Sequence, residues 1–244
     1  MSGALQAIPL INLIFAFIPV MIVVFMLARW SMDARTVAYA IGRMLLQLLL
    51  IGYALNWIFA GDSSLVVVLL LTAMLGIASW IAMRPLQQPN SKMFFYILLA
   101  MALGGGSTLA LITTQVLNIE PWYAPRQVIP LAGMIFAGAM NTVCLAAERL
   151  QAETTRGVTI LQARNLAYQA ALIPLINLLF AVGLVSLPGM MTGQILSGVE
   201  PLIAARYQIM VMCMLFGASG ISAGIYLSLV VRQSEKPLAH SDND

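Results

Sequence analysis

The chain has 244 residues, of which 61% are hydrophobic and only 9% charged. A soluble domain carries about 25% charged residues, and no soluble interior could hold this apolar load, so a soluble fold is excluded. The formal charge of +3 comes from Lys and Arg residues that stand singly, with no basic run, which argues against a nucleic-acid partner.

The apolar residues fall in blocks of about 20, the length a helix needs to cross about 30 Å of hydrocarbon. A lipid-facing backbone must satisfy its own hydrogen bonds, so the blocks are helices. The sequence predicts an all-α, polytopic membrane protein with about seven transmembrane helices. The first span covers about 8–27, and its N-terminal flank has neither a basic stretch nor a small-residue cleavage pattern, so it is expected to be retained. Span two, about 37–59, returns to a turn at Gly61-Asp62. Span three, about 65–83, precedes a short loop with Arg84, Pro85, Pro89 and Lys92. Span four, about 93–117, ends among Trp122 and Tyr123, aromatics suited to the membrane interface.

Span five, about 128–147, runs into the longest polar stretch, 148–164, which could form a short helix outside the bilayer or a plain connector. Span six covers about 166–187. The segment 187–200 after it could dip back into the bilayer, which hydropathy does not decide. Span seven, about 202–231, ends before a polar tail, 232–244, expected to be disordered. Ten of the twelve basic residues then fall on one side, leaving Arg126 and Arg206 on the other. Positive residues collect in cytoplasmic loops, so the expected orientation is N-terminus out and C-terminus in.

Enzymatic ingredients are missing. The single histidine, His240, lies in the tail, and there is no CxxC, HExxH or P-loop lysine. Gly104-Gly105-Gly106 lies mid-span with no following lysine, so it reads as helix packing. Gly133, Ala137 and Gly138 read the same way. Cys144 and Cys213 fall within spans and read as packing residues.

Arg43 and Gln47, four residues apart, share a helix face. A charge inside a span is a functional candidate, although Arg43 could also snorkel to the headgroups. Asn12, Asn141 and Asn177 are further polar groups within spans, suited to interhelical hydrogen bonds. Sixteen methionines, among them Met190, Met191, Met210, Met212 and Met214, could supply soft thioether ligands, but lipid contact and packing explain them more simply. One echo stands out: Ile8-Pro9-Leu10-Ile11-Asn12-Leu13 recurs as Ile173-Pro174-Leu175-Ile176-Asn177-Leu178. Inverted repeats of this kind occur in transporters, and chance also produces short matches between apolar helices.

Several stretches resemble the FetB-type family of ABC transporter permeases, the iron-export permeases to which plant aluminium-tolerance membrane subunits are related. They are Gly42-Arg43-x-x-x-Gln47-Leu48-x-x-x-Gly52-Tyr53; Gln127-Val128-Ile129-Pro130-Leu131-Ala132-Gly133-Met134 with Ala139-Met140-Asn141; Ala171-Leu172-Ile173-Pro174; Val182-Gly183-Leu184-Val185-Ser186-Leu187-Pro188-Gly189-Met190-Met191-Thr192-Gly193; and Tyr207-Gln208-Ile209-Met210-Val211. The likeness covers about 37–231.

It implies a transport subunit and no enzyme: a single permease domain over 1–231 in the cytoplasmic (inner) membrane. The permease would work as a homodimer with a separate cytosolic ABC-type ATPase and no cofactor of its own. Metal ions such as iron are the implied cargo, with no ligand cluster to name. Gly157-Val158-Thr159-Ile160-Leu161-Gln162-Ala163 is similar to the family's element before span six, which would seat on the ATPase, but lacks its proline. The surrounding stretch is shorter than in the family by about eleven residues upstream and four downstream, close to whole helical turns. Gly157, Thr159, Gln162, Ala163 and Arg164, within a coupling segment of about 148–165, are the expected ATPase-coupling residues. Arg43, Gln47, Asn141, Asn177, Met190 and Met191 are the candidate pathway. Rival readings are a secondary transporter without an ATPase and a non-transporting membrane scaffold.

Overall fold

The computed structural model describes residues 9–30, 34–61, 63–86 and 90–235, and the chain divides into two units, Met1–Gly61 and Asp62–Asp244. Residues 236–244 of the expected tail, with Lys236 and His240, lie outside the described residues, as do Ile8, Asp62 and Pro89.

In the first unit, α1 (Leu10–Phe15) and α2 (Phe17–Arg29) are interrupted only at Ala16, whose N–H bonds to the Leu13 carbonyl at 3.1 Å. A longer helix, α3 (Ala34–Ala60), packs against α2. No described side chain of this unit is buried.

The second unit has a packed interior. It opens with α4 (Ser64–Ala82), and the next crossing begins with α5 (Ser91–Met101), where Asn90 caps the helix by accepting the Met93 N–H at 2.8 Å. This crossing is not uniform. It widens into a π-helical segment at Ala102–Gly106, returns to α6 (Ser107–Leu111), and widens again at Ile112–Val116. Then come α7 (Pro125–Thr155), α8 (Ile160–Ala181), the short α9 (Gly189–Leu196) and α10 (Pro201–Glu235). Pro125 sits in the first turn of α7, where its missing N–H costs no hydrogen bond. Among the described residues no strand forms.

The core forms where α10 packs against α5, α7, α8 and the first π-helical segment, with α4 against α7. The glycine run has the expected packing role. A Cβ on Gly104 would come within 2.6 Å of the Ser222 backbone nitrogen, so only glycine lets the first π-helical segment lie on α10. Gly105 faces Ile135 and Phe136, Gly133 faces Met74, and Gly138 faces Ser219. Ala137, by contrast, is exposed.

Among the described residues six helices are long and apolar enough to cross a membrane: Ile11–Arg29, Ala34–Ala54, Ser64–Ala82, Ser91–Val116, Pro125–Thr155 and Pro201–Ser234. The expected sixth span exists as α8, 22 residues long, but is not among them. Arg164, Asn165, Gln169 and Asn177 dilute its apolar character. Two further boundaries differ from expectation. Instead of ending at 147, α7 continues for two more turns, to Thr155, so the polar stretch is no separate helix. And α8 starts at Ile160 and ends at Ala181, so 182–188 is irregular, before α9.

Candidate functional site

The expected coupling residues gather at the joint between α7 and α8. At the end of α7 the N–H of Val158 bonds to the Glu153 carbonyl at 3.1 Å, and that of Gly157 to the Thr154 carbonyl at 3.0 Å. This pair of bonds is the Schellman closure, which needs a left-handed residue after the last helical turn. Gly157 supplies it, at φ +83°. The turn is held from below by Glu153, buried, whose carboxylate meets Arg149 at 2.7 Å and Arg156 at 3.1 Å. A carboxylate placed in a core without such partners would be strongly unfavourable. Thr159 precedes α8 and accepts the Ala163 N–H at 2.8 Å through its carbonyl. Ala163 is fully buried, Gln162 is exposed, and the half-buried Arg164 donates twice to Asn165 Oδ1 at 3.1 and 3.2 Å. Sequence reading missed Glu153; the spacing Arg149, Glu153, Arg156, at i+4 and i+3 on one helix face, was the available signal.

The expected pathway residues fall in both units. Arg43, half-buried, and Gln47, exposed, lie on α3 in the first unit. Asn141 on α7 and Asn177 on α8 are exposed, as is Asn12 on α1. The two copies of the repeated hexapeptide also differ in setting: Pro9 stands just ahead of α1, whereas Pro174 lies inside α8.

Two other groupings emerge. A cavity of about 460 Å³ is bounded by the start of α7 (Arg126, Gln127, Pro130, Met134), by Met190 of α9, and by Tyr207 and Met210 of α10. Pro130 has no N–H to offer the Arg126 carbonyl one turn earlier. Met190 thus joins two other methionines that sequence spacing did not connect, while Met191 is outside the lining, and Met212 and Met214 are buried packing residues. The three sequence blocks around Pro130, Met190 and Met210 are far apart in the chain and meet here.

The second grouping is a polar stripe on α10. Gln208, Ser219, Ser222 and Tyr226 fall within about 60° of one another at 100° per residue and extend over about 27 Å, nearly the hydrocarbon thickness. All four side chains are buried, and Gln208 Oε1, both serine Oγ atoms and the Tyr226 hydroxyl have no hydrogen-bond partner. Other buried hydroxyls in this unit bond back to their own helices: Ser79 to the Leu75 carbonyl, Thr108 to Gly104, Thr113 to Leu109 and Thr142 to Gly138. Buried polar atoms are nearly always paired, which sets the α10 stripe apart. Among the described residues no three His, Cys, Asp or Glu side chains group as a metal site, and both cysteines are free thiols.

The six long apolar helices among the described residues mark an integral, multi-pass membrane protein. The pattern of the Uncharacterised protein family (UPF0014) matches residues 10–162 and 154–234, two segments that overlap on the joint between α7 and α8, and the chain belongs to that family. It is 38% identical over 212 residues to a UPF0014 membrane protein of Synechocystis, covering 80% of this chain and 81% of the relative. It is 34% identical over 214 residues to the Probable iron export permease protein FetB of Escherichia coli, covering 82% and 81%. To the Protein ALUMINUM SENSITIVE 3 of Arabidopsis thaliana it is 31% identical over 202 residues, covering 76% and 72%. No solved structure matches the chain.

Proposed function

We propose that this chain is the membrane-spanning permease subunit of an ABC-type exporter of metal ions such as iron, driven by a separate cytosolic ATPase. The cargo and the class follow the name of the Escherichia coli relative. In this reading residues 1–231 act as one permease domain in the cytoplasmic membrane, N-terminus out and C-terminus in, and two copies pair with two ATPases.

The observation that carries the reading is the joint between α7 and α8. A loop that only connects two helices has no need of a buried carboxylate between two arginines. A lever does, because a push on an exposed side chain moves a helix only if the turn itself resists. Glu153, with Arg149 and Arg156, stiffens the end of α7, Gly157 closes the turn, and Gln162 and Arg164 stand on the first turns of α8 beyond it. Force applied there reaches α7 and α10, the two helices against which α8 packs most.

ATP binding to the partner would bias a two-state equilibrium of the permease. The second state supplies a use for the α10 stripe. An unpaired buried oxygen costs about 1–3 kcal/mol, and separation of α10 from its neighbours would relieve that cost by admitting water or a hydrated ion. On that ground the stripe lines the pathway of the second state; Arg43, Gln47, Asn141, Asn177, Met190 and Met191 stand as separate candidates, each tested by its own substitution.

The test is reconstitution in vesicles with the cognate ATPase. Replacing Gln162 and Arg164 with alanine is expected to leave ATP hydrolysis running while metal efflux falls. Unchanged coupling removes the joint from the mechanism. Efflux by the chain alone, without an ATPase, turns the assignment to a secondary transporter, and no flux in either case turns it to a scaffold.

A further inference from the structure

Two cavities of about 280 and 420 Å³ adjoin on the outer side of α8 and α10, sharing Tyr168, Gly224 and Ser228. They form one trough with a graded lining. Arg164 and Asn165 border the smaller cavity, and Arg232 borders the larger, which continues to Gly220, Ile221 and Ile225. The two helices run antiparallel along it. A Cβ on Gly220 would lie 3.8 Å from Leu172, and one on Gly224 would lie 3.7 Å from the Tyr168 ring, so higher numbers on α10 face lower numbers on α8. Arg164 and Arg232 therefore stand toward the same end. From Arg232 to Gly220 the trough runs about 18 Å along α10, ending among apolar side chains.

Neither arginine has an acidic partner among the described residues. Arg164 donates to the neutral Asn165 amide oxygen, and Arg232 makes no ion pair among the described residues. Contrast Arg149 and Arg156, which both meet Glu153. Two unneutralised guanidinium groups at one end of an apolar trough match a molecule with an anionic head and a hydrocarbon body.

We propose that the trough between α8 and α10 binds one anionic phospholipid, with its phosphate at the Arg164 and Arg232 end and an acyl chain along Gly220, Ile221 and Gly224. Guanidinium groups recognise phosphate oxygens by paired, charge-assisted hydrogen bonds, and basic recesses between membrane helices are suited to acidic headgroups. The absence of a side chain at Gly220 and Gly224 provides the depth for the chain. An acidic protein segment would use the arginines but leave the apolar continuation without a function, so the lipid accounts for more of the lining.

The experiment is native mass spectrometry of the purified full-length chain, released from detergent with phosphatidylglycerol or phosphatidylcholine. It needs no ATPase and is independent of the exporter assignment. One retained phosphatidylglycerol is expected per chain, preferred over phosphatidylcholine by about tenfold or more, since arginines near a lipid surface favour an anionic headgroup. Arg164→Gln with Arg232→Gln should bring the two lipids close to parity. Gly224→Leu, which fills the trough, should abolish retention without lowering the thermal unfolding temperature, whereas the arginine pair tests the headgroup contact without altering the packing. Inorganic phosphate in millimolar excess should not displace the lipid. Equal retention of both lipids, displacement by phosphate alone, or an unchanged lipid preference in the double arginine variant would each overturn the proposal.

Discussion

The two units of this chain are built from the same residue types and differ in what covers them. In the first, α2 and α3 carry Ile22, Phe25, Leu46 and Leu49 exposed at 56%, 70%, 59% and 67%. In the second, Ile97, Met101, Ile135 and Met214 are exposed at no more than 1%. Apolar content therefore does not tell a core-facing helix from a lipid-facing one, because hydrocarbon solvates leucine as well as another leucine does. What separates the units is small residues. Gly104, Gly105, Gly133 and Gly138 let the helices of the second unit approach closely, while a Cβ on Gly42 or Gly52 in the first would meet nothing within 4 Å.

Substitutions can break that contrast. The largest effect is expected from Gly104→Leu, whose side chain must displace the α10 backbone at Ser222. A loss above about 4 kcal/mol, of the size reserved for such mechanisms, should appear as failure to recover folded protein in mild detergent. Ile135→Ala comes next, at about 3 kcal/mol from lost packing. Glu153→Ala should follow: the Arg149 and Arg156 side chains are 42% and 66% exposed, so losing the carboxylate they share is expected to cost about 1 kcal/mol, measured as a drop in thermal unfolding temperature, and Glu153→Gln should recover part of it. Ile22→Ala in the first unit should change stability by less than about 0.5 kcal/mol. A large loss at Ile22 would mean that a second protein surface, rather than lipid, covers α2.

The pathway reading sharpens the same contrast at smaller amplitude. In a chain with Cys144 and Cys213 replaced by alanine, Ser219→Cys and Ser222→Cys should resist a membrane-impermeant thiol reagent in the resting state and react faster when the partner ATPase turns over. Equal rates in both states would confine the stripe to packing.

Much of the fold was legible in the sequence. Six of the seven expected spans match helices among the described residues that are long and apolar enough to cross a membrane, and the expected sixth, α8, does not; the packing role of the glycine run at 104–106 followed from its position mid-span with no phosphate-binding lysine. The end of α7 was not legible, because Glu148, Arg149 and Glu153 look like loop residues until the ion pairs that keep them helical are known. Gly157 and its neighbours were singled out by resemblance, yet the reason for the glycine, a left-handed closure, was visible only in the backbone.

The candidate site divides in the same way. Hydrocarbon selects for length and hydropathy along one segment at a time, a local property, so the sequence by itself determined that this is a helical membrane protein and where six of its long apolar helices lie. Which polar atoms are buried together depends on the rotation and depth of each helix against the others. That sum of long-range contacts is why only the tertiary structure brought Met134, Met190 and Met210 to one cavity, aligned four unpaired oxygens on the buried face of α10, and left Asn141 and Asn177 outside.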